Sequence, residues 1–135
     1  MIGAPEVKGA QAVAGVAKGF DGLADLAKFR AGLGLKTGEG TLARLEVDGQ
    51  TFYGINAHGQ PVTMGVNAIT RTHAEADAFQ QALNAGAKGG NATLYVDRAL
   101  CAACGQNGGV RTMARQLGLD QVKVITPQGT QIIRP

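Results

Sequence analysis

Two short motifs constrain this chain more than anything else in it: His73-Ala74-Glu75 and Cys101-Ala102-Ala103-Cys104. They lie far apart in sequence, yet His73, Cys101 and Cys104 together make three zinc ligands. Glu75 adds a carboxylate that need not bind the metal. A structural zinc site is normally closed by four protein ligands, whereas a catalytic one keeps three and leaves the fourth position to water. Any fold for this chain must therefore bring the two motifs to one place. The chain has two cysteines and two histidines, so the pattern uses three of the four.

The bounds set by composition are compatible with a small enzyme. At 135 residues and 44% hydrophobic content, one domain with one ordinary core is expected. No apolar run reaches the length of a membrane span and the start lacks a signal-type apolar region. A soluble chain with no membrane partner and no signal peptide is the expectation. The formal charge of +3 and pI near 9.1 are compatible with a nucleic-acid partner without requiring one.

Residues 1–40 read as a glycine-rich linker with one covering helix, and 41–135 as the working domain. Phe20, Leu23, Leu26 and Arg30 fall on adjacent helical turns, and Gly32 and Gly34 stop the helix. Asp21 and Asp25 early and Lys28 and Arg30 late suit the helix macrodipole. From Thr41 the apolar pattern alternates, Asp48-Gly49 signals a hairpin, and Thr51 to Asn56 returns as a strand. Residues 57–70 form a long connection of the kind that is often functional. Thr72 is placed to cap a helix running through Glu75, Phe79 and Leu83 to Gly86. Ala92–Val96 reads as a buried strand. A second helix runs from near Cys101 to Gly118, with a break at Gly108-Gly109. Two short strands, around 122–125 and 131–133, flank Pro127-Gln128-Gly129. The order is β-β-α-β-α-β-β, an α/β sandwich with a mixed sheet. Its last connection is too short for a parallel crossover, so an antiparallel C-terminal hairpin is required.

Placed at helix starts, both motifs meet the positive potential of unpaired amides, which favours cysteine thiolates as the metal does. Zinc held by His73, Cys101 and Cys104 would bring the pKa of its water to about 7. Glu75 would take a proton from that water and pass it to a ring nitrogen and a departing amine. His-x-Glu followed by Pro-Cys-x-x-Cys is the signature of zinc deaminases acting on cytosine or adenine. A redox-active Cys101-x-x-Cys104 pair is the competing reading, but the upstream His-x-Glu has no part in it.

On these motifs and this element order the chain resembles the cytidine deaminase-like superfamily, over about Thr41 to Arg134. The C-terminal hairpin, small size and glycine-rich leader are most similar to deaminase domains of bacterial polymorphic (interbacterial) toxins. The resemblance implies His73, Cys101 and Cys104 as zinc ligands and Glu75 as proton shuttle. It implies Asn56, in Tyr53-Gly54-Ile55-Asn56, as a holder of the substrate sugar or base. It also implies a delivered effector acting in the target-cell cytoplasm, a cognate immunity protein, and a nucleic-acid substrate, cytosine in DNA ahead of RNA. One departure is Leu100, which stands where the superfamily usually has proline.

Further substrate contacts are expected from His58 in the long loop, from Arg71 and Arg98 beside the metal ligands, and from Tyr53 as a stacking ring. Phe52 and Tyr53 point to opposite strand faces, so only one of them can serve. Arg111 and Arg115, one helical turn apart, read as a solvated face. Phe79 and Tyr95 read as core, and Asp97 as a cap or an arginine partner. Other readings of the same motifs are an RNA or adenine deaminase, a free-nucleoside cytidine deaminase, and a non-enzymatic redox or zinc-binding module.

Overall fold

The computed structural model describes residues 21–36, 39–101 and 108–135. The elements are α1 (Gly22–Gly32), β1 (Leu42–Val47), β2 (Gln50–Ile55), a 3-10 turn (Thr70–Thr72), α2 (Ala74–Asn84), β3 (Gly90–Val96), α3 (Gly109–Gln116), β4 (Leu119–Thr126) and β5 (Gly129–Ile133). The strands form one mixed sheet in the order β2-β1-β3-β4-β5. Only β3 and β4 are parallel, and α3 lies in the connection between them; the other neighbours are antiparallel. The mixed α/β class expected from the sequence is what the chain adopts. None of the helices among the described residues is long and apolar enough to cross a membrane.

Both hairpins are closed by two-residue turns. Asp48 and Gly49 take φ of 53° and 70°. Positive φ at both central positions gives the turn whose twist matches that of the strands it joins. At the other end Thr126 pairs with Gly129 around Pro127-Gln128.

Strand alternation divides the apolar residues between two faces. Ala43, Leu45 and Val47 of β1, with Leu94, Val96, Val122 and Val124, pack under α2 and α3 and form the main core with Phe79 and Met113. Leu42 and Tyr95 face the other way and receive Leu26 of α1, with Leu23, Phe29, Tyr53 and Ile55 around them. Full burial of a leucine such as Leu26 stabilises by roughly 1.5–3 kcal/mol.

Helix α1 begins where the Asp21 carboxylate accepts from the Leu23 and Ala24 amides at 3.0 and 3.3 Å. Near its end the buried Arg30 guanidinium spans several partners. It donates to the carbonyls of Lys36, Glu39 and Gly40 and pairs with Asp97 at 2.6 Å. Asp97 in turn accepts from the Leu42 amide at 3.0 Å. Arg30 thus joins α1, the segment entering β1, and the end of β3. The glycine-rich leader, residues 1–20, lies outside the described residues.

On the same face Arg44 donates to Asp25 and to the Tyr53 hydroxyl and pairs with Glu46, while the Tyr53 hydroxyl donates to Asp25. Burial, and then this bond to Asp25, pushes the Tyr53 phenol up to about 12. Burial, and then the nearby Glu46 charge, pushes Tyr95 up to about 12 as well. Each proton is held more tightly folded than unfolded, where tyrosine titrates near 10. The stability this contributes is complete below pH 10 and is lost as pH rises toward 12. Denaturant unfolding followed across that window should show falling stability, and ultraviolet titration should find neither tyrosine ionising at its ordinary pH in the folded protein. A normal tyrosinate titration with stability unchanged would contradict this.

Candidate active site

The N-terminus of α2 is built against strand β2. A β-carbon on Gly54 would lie 2.0 Å from the Ala74 carbonyl oxygen and 2.9 Å from the Ala78 nitrogen. Only glycine lets the first turn of α2 come this close. Two side chains one turn apart on α2 then bind the outer edge of β2. Asp77 accepts from the Ile55 amide at 2.9 Å, and Gln81 donates to the Tyr53 carbonyl at 2.6 Å. Because β2 is an edge strand, these groups have no strand partner on that side.

His73 is the N-cap of α2, with φ −84° and ψ 160°. Thr72 was the expected cap; instead it belongs to the 3-10 turn, where its hydroxyl donates to the Ile69 carbonyl at 3.3 Å. The shift matters for the spacing of the motif. Two residues apart on a regular helix would splay His73 and Glu75, but His73 stands in extended backbone just outside the helix. Glu75 sits in the first helical turn, 3% exposed, where the helix end favours a carboxylate.

The strand leaving β2 is tied to the turn that carries His73. Asn56 donates its amide to the Thr41 carbonyl at 3.0 Å, and Ala57 donates to the Thr72 carbonyl at 2.7 Å. Ala57 adopts φ of 57°, a left-handed conformation unusual for a residue with a side chain. His58 Nδ1 accepts from the Gln60 amide at 2.9 Å. That leaves Nε2 to carry the proton it donates to the Arg71 carbonyl at 3.1 Å. His58, expected to touch substrate, has both ring nitrogens engaged in holding this loop.

The long connection over 57–70 is anchored rather than loose. Buried Gln80 of α2 accepts from the Thr63 and Met64 amides at 2.8 and 3.1 Å. Gln116 of α3 accepts from the Gly65 amide and donates to its carbonyl at 2.9 and 2.8 Å. Arg71 donates to the Val62 and Val66 carbonyls, so this expected substrate contact is tied to the loop. Arg98 is exposed and donates to the Gly40 carbonyl at 3.1 Å.

Tyr53 is a correction. Its ring lies on the α1 face, 4.6 Å from Phe29, with its hydroxyl held by Asp25 and Arg44. Helix α2 lies on the opposite face of the sheet, so Tyr53 shapes the core and not the site. Asn56 lies just after β2, and the next residue, Ala57, bonds to Thr72 beside His73. Asp77, Gln80, Gln81, Gln116 and Gly54 were missed. Their signal was faint: polar residues inside a helix with no functional motif, and one glycine inside a strand.

From the other side comes Cys101, whose Sγ lies 3.5 Å from His73 Nδ1. Ligands at 2.0–2.1 Å (nitrogen) and 2.3 Å (sulfur) around a tetrahedral zinc would stand about 3.6 Å apart. The pair therefore fits a shared zinc. Cys104 lies outside the described residues, and among those described no group of three or more histidine, cysteine or acidic side chains could hold a metal. The opening of the helix expected from near Cys101 falls on residues 102–107, which lie outside the described residues. Beyond them Gly108 takes a left-handed φ of 79° and caps α3 at Gly109.

Gly54→Ala should push the start of α2 off β2, costing about 1–3 kcal/mol in overpacking and moving His73 and Glu75 with it. Denaturant unfolding and zinc affinity by chelator competition should both fall. Unchanged values would show that the close approach does not position the site.

No curated protein and no solved structure matches the chain. A protein-family model, the MafB19-like deaminase, matches residues 23–132. That span takes in all but the first residue of α1, strands β1 to β4, all but the last residue of β5, the start of α2 with His73 and Glu75, and Cys101. With most of its length covered, the chain belongs to the MafB19-like deaminase family.

Proposed function

We propose that this protein is a zinc-dependent hydrolytic deaminase of nucleobases in nucleic acid, converting cytosine to uracil in DNA. In this reading it acts as a toxin effector in the cytoplasm of a target cell, and a cognate immunity protein protects the producer. The observation that carries the reading is the contact of His73 Nδ1 with Cys101 Sγ at 3.5 Å, two residues from the buried Glu75. Membership of a deaminase family supports the reaction class. The motif spacing supports the metal, and the positive charge supports a polyanionic substrate.

His73 and Cys101, with Cys104, would hold the zinc. Bound there, zinc supplies a Lewis acid that brings a water close to ionisation at neutral pH. Glu75 takes a proton from the attacking water and gives it to the ring nitrogen beside the reacting carbon. A second proton passes through Glu75 to the amine, which leaves as ammonia. The sum is replacement of the exocyclic amino group by a carbonyl oxygen at the expense of one water. Burial of Glu75 against the start of α2 keeps bulk water from competing for those protons. In this reading Asn56, whose neighbour Ala57 bonds to Thr72 beside His73, holds the base or its sugar.

Two measurements test this. Glu75→Ala should lower deamination by at least about 10²-fold while leaving the fold and zinc content intact, as loss of a general acid–base group implies. Sequencing of DNA and RNA exposed to the zinc-loaded protein should show C-to-T changes confined to DNA. Activity that survives Glu75→Ala would overturn the mechanism. Changes confined to RNA, at adenine, or seen only with free cytidine would reassign the substrate.

A further inference from the structure

A groove of about 640 Å³ opens beside the site, between the Cys101 segment, the first turn of α3 and the β4–β5 hairpin. Its volume is that of a small-molecule site. Its existence follows from the topology. Strand β5 ends the sheet, and its residues are exposed or nearly so, with Ile132 40% exposed. On that face α2 packs on β2 and β1 at the far side of the sheet, and α3 packs against β4.

The lining is chemically consistent. Cys101 and Leu100 form one wall, so the groove is continuous with the candidate metal centre. Gln128 and Gln131 bring amides, and Ile133 an apolar surface. Among the described residues that line it, Arg111 is the one that is charged and none is a carboxylate. Arg111 is exposed on α3, so its charge is open to an anion. A base held at the metal centre is joined to its neighbours through phosphates, and those neighbours must leave through an opening beside it.

Building on the deaminase reading, we propose that this groove takes the nucleotide adjoining the target base. Arg111 binds its phosphate, and Gln128 and Gln131 meet its base. A guanidinium suits a phosphate through paired N–H donors, and an amide can both donate to and accept from a base edge. The groove is thereby a specificity site: it reads the neighbour of the base that reacts. Arg115 lies one turn further along α3 and does not line the groove.

The test uses the zinc-loaded full chain carrying Glu75→Gln, which binds without turnover, and a single-stranded DNA oligonucleotide across a salt series. Arg111→Ala should weaken binding about tenfold and flatten the salt dependence by about 0.7–1 in log–log slope, one phosphate contact. Arg115→Ala should leave that slope alone. With Glu75 intact, Gln131→Ala should change which neighbouring bases favour deamination in a pool of randomised flanks. If the parent binds and deaminates DNA while Arg111→Ala and Gln131→Ala leave slope and neighbour preference unchanged, the groove is not the subsite and the deaminase reading stands. If the parent neither binds nor deaminates any oligonucleotide, both fall together.

Discussion

The packing of the first turn of α2 onto β2 at Gly54 is the contact on which the site depends. With no side chain at that position, the Ala74 carbonyl lies where a β-carbon would otherwise be. Asp77 and Gln81 then bind the helix to the strand's outer edge through an amide and a carbonyl that have no strand partner there. The helix start is thus fixed to the sheet by backbone contact and by hydrogen bonds that a buried aspartate accepts and an exposed glutamine donates. Half of the site is mounted on that start: His73 as its cap and Glu75 in its first turn.

The second half of the site hangs from the end of β3, and a different device fixes it. Arg30 reaches from α1, across the opposite face of the sheet, to Asp97, and Asp97 holds the start of β1. Because β1 lies between β2 and β3, both clamps act on one rigid frame. The meeting of Cys101 with His73 follows from two strand ends held in register by the sheet. The long 57–70 connection completes the enclosure, pinned by Gln80 from α2 and Gln116 from α3.

The sequence was most legible where a residue type carries its own constraint. Asp48-Gly49 announced a hairpin because few residues tolerate two positive φ values. The short Pro127-Gln128 link forced an antiparallel pair. The pairing of His73 with Cys101, two residues of narrow chemistry far apart in sequence, is what the fold brings to 3.5 Å. It was least legible where the meaning of a residue lies in what it faces. Tyr53 read as a stacking ring, yet strand alternation could say only that Phe52 and Tyr53 oppose each other, not which face holds the site. His58 read as a substrate contact, while its two nitrogens hold the loop through the Gln60 amide and the Arg71 carbonyl. Thr72 had the composition of a cap, but the 3-10 turn ahead of α2 claimed it. Gly54 showed no motif at all, since close approach is a property of two elements at once.

The central claim is that His73 and the two cysteines share one zinc with a position open to water. X-ray absorption at the zinc edge of the loaded protein tests it most directly. The account predicts one zinc per chain with two sulfurs near 2.3 Å and two lighter ligands, one imidazole nitrogen and one water oxygen, near 2.0–2.1 Å. A shell of four sulfurs, a shell without sulfur, or a protein that binds no zinc and holds a Cys101–Cys104 disulfide would contradict it.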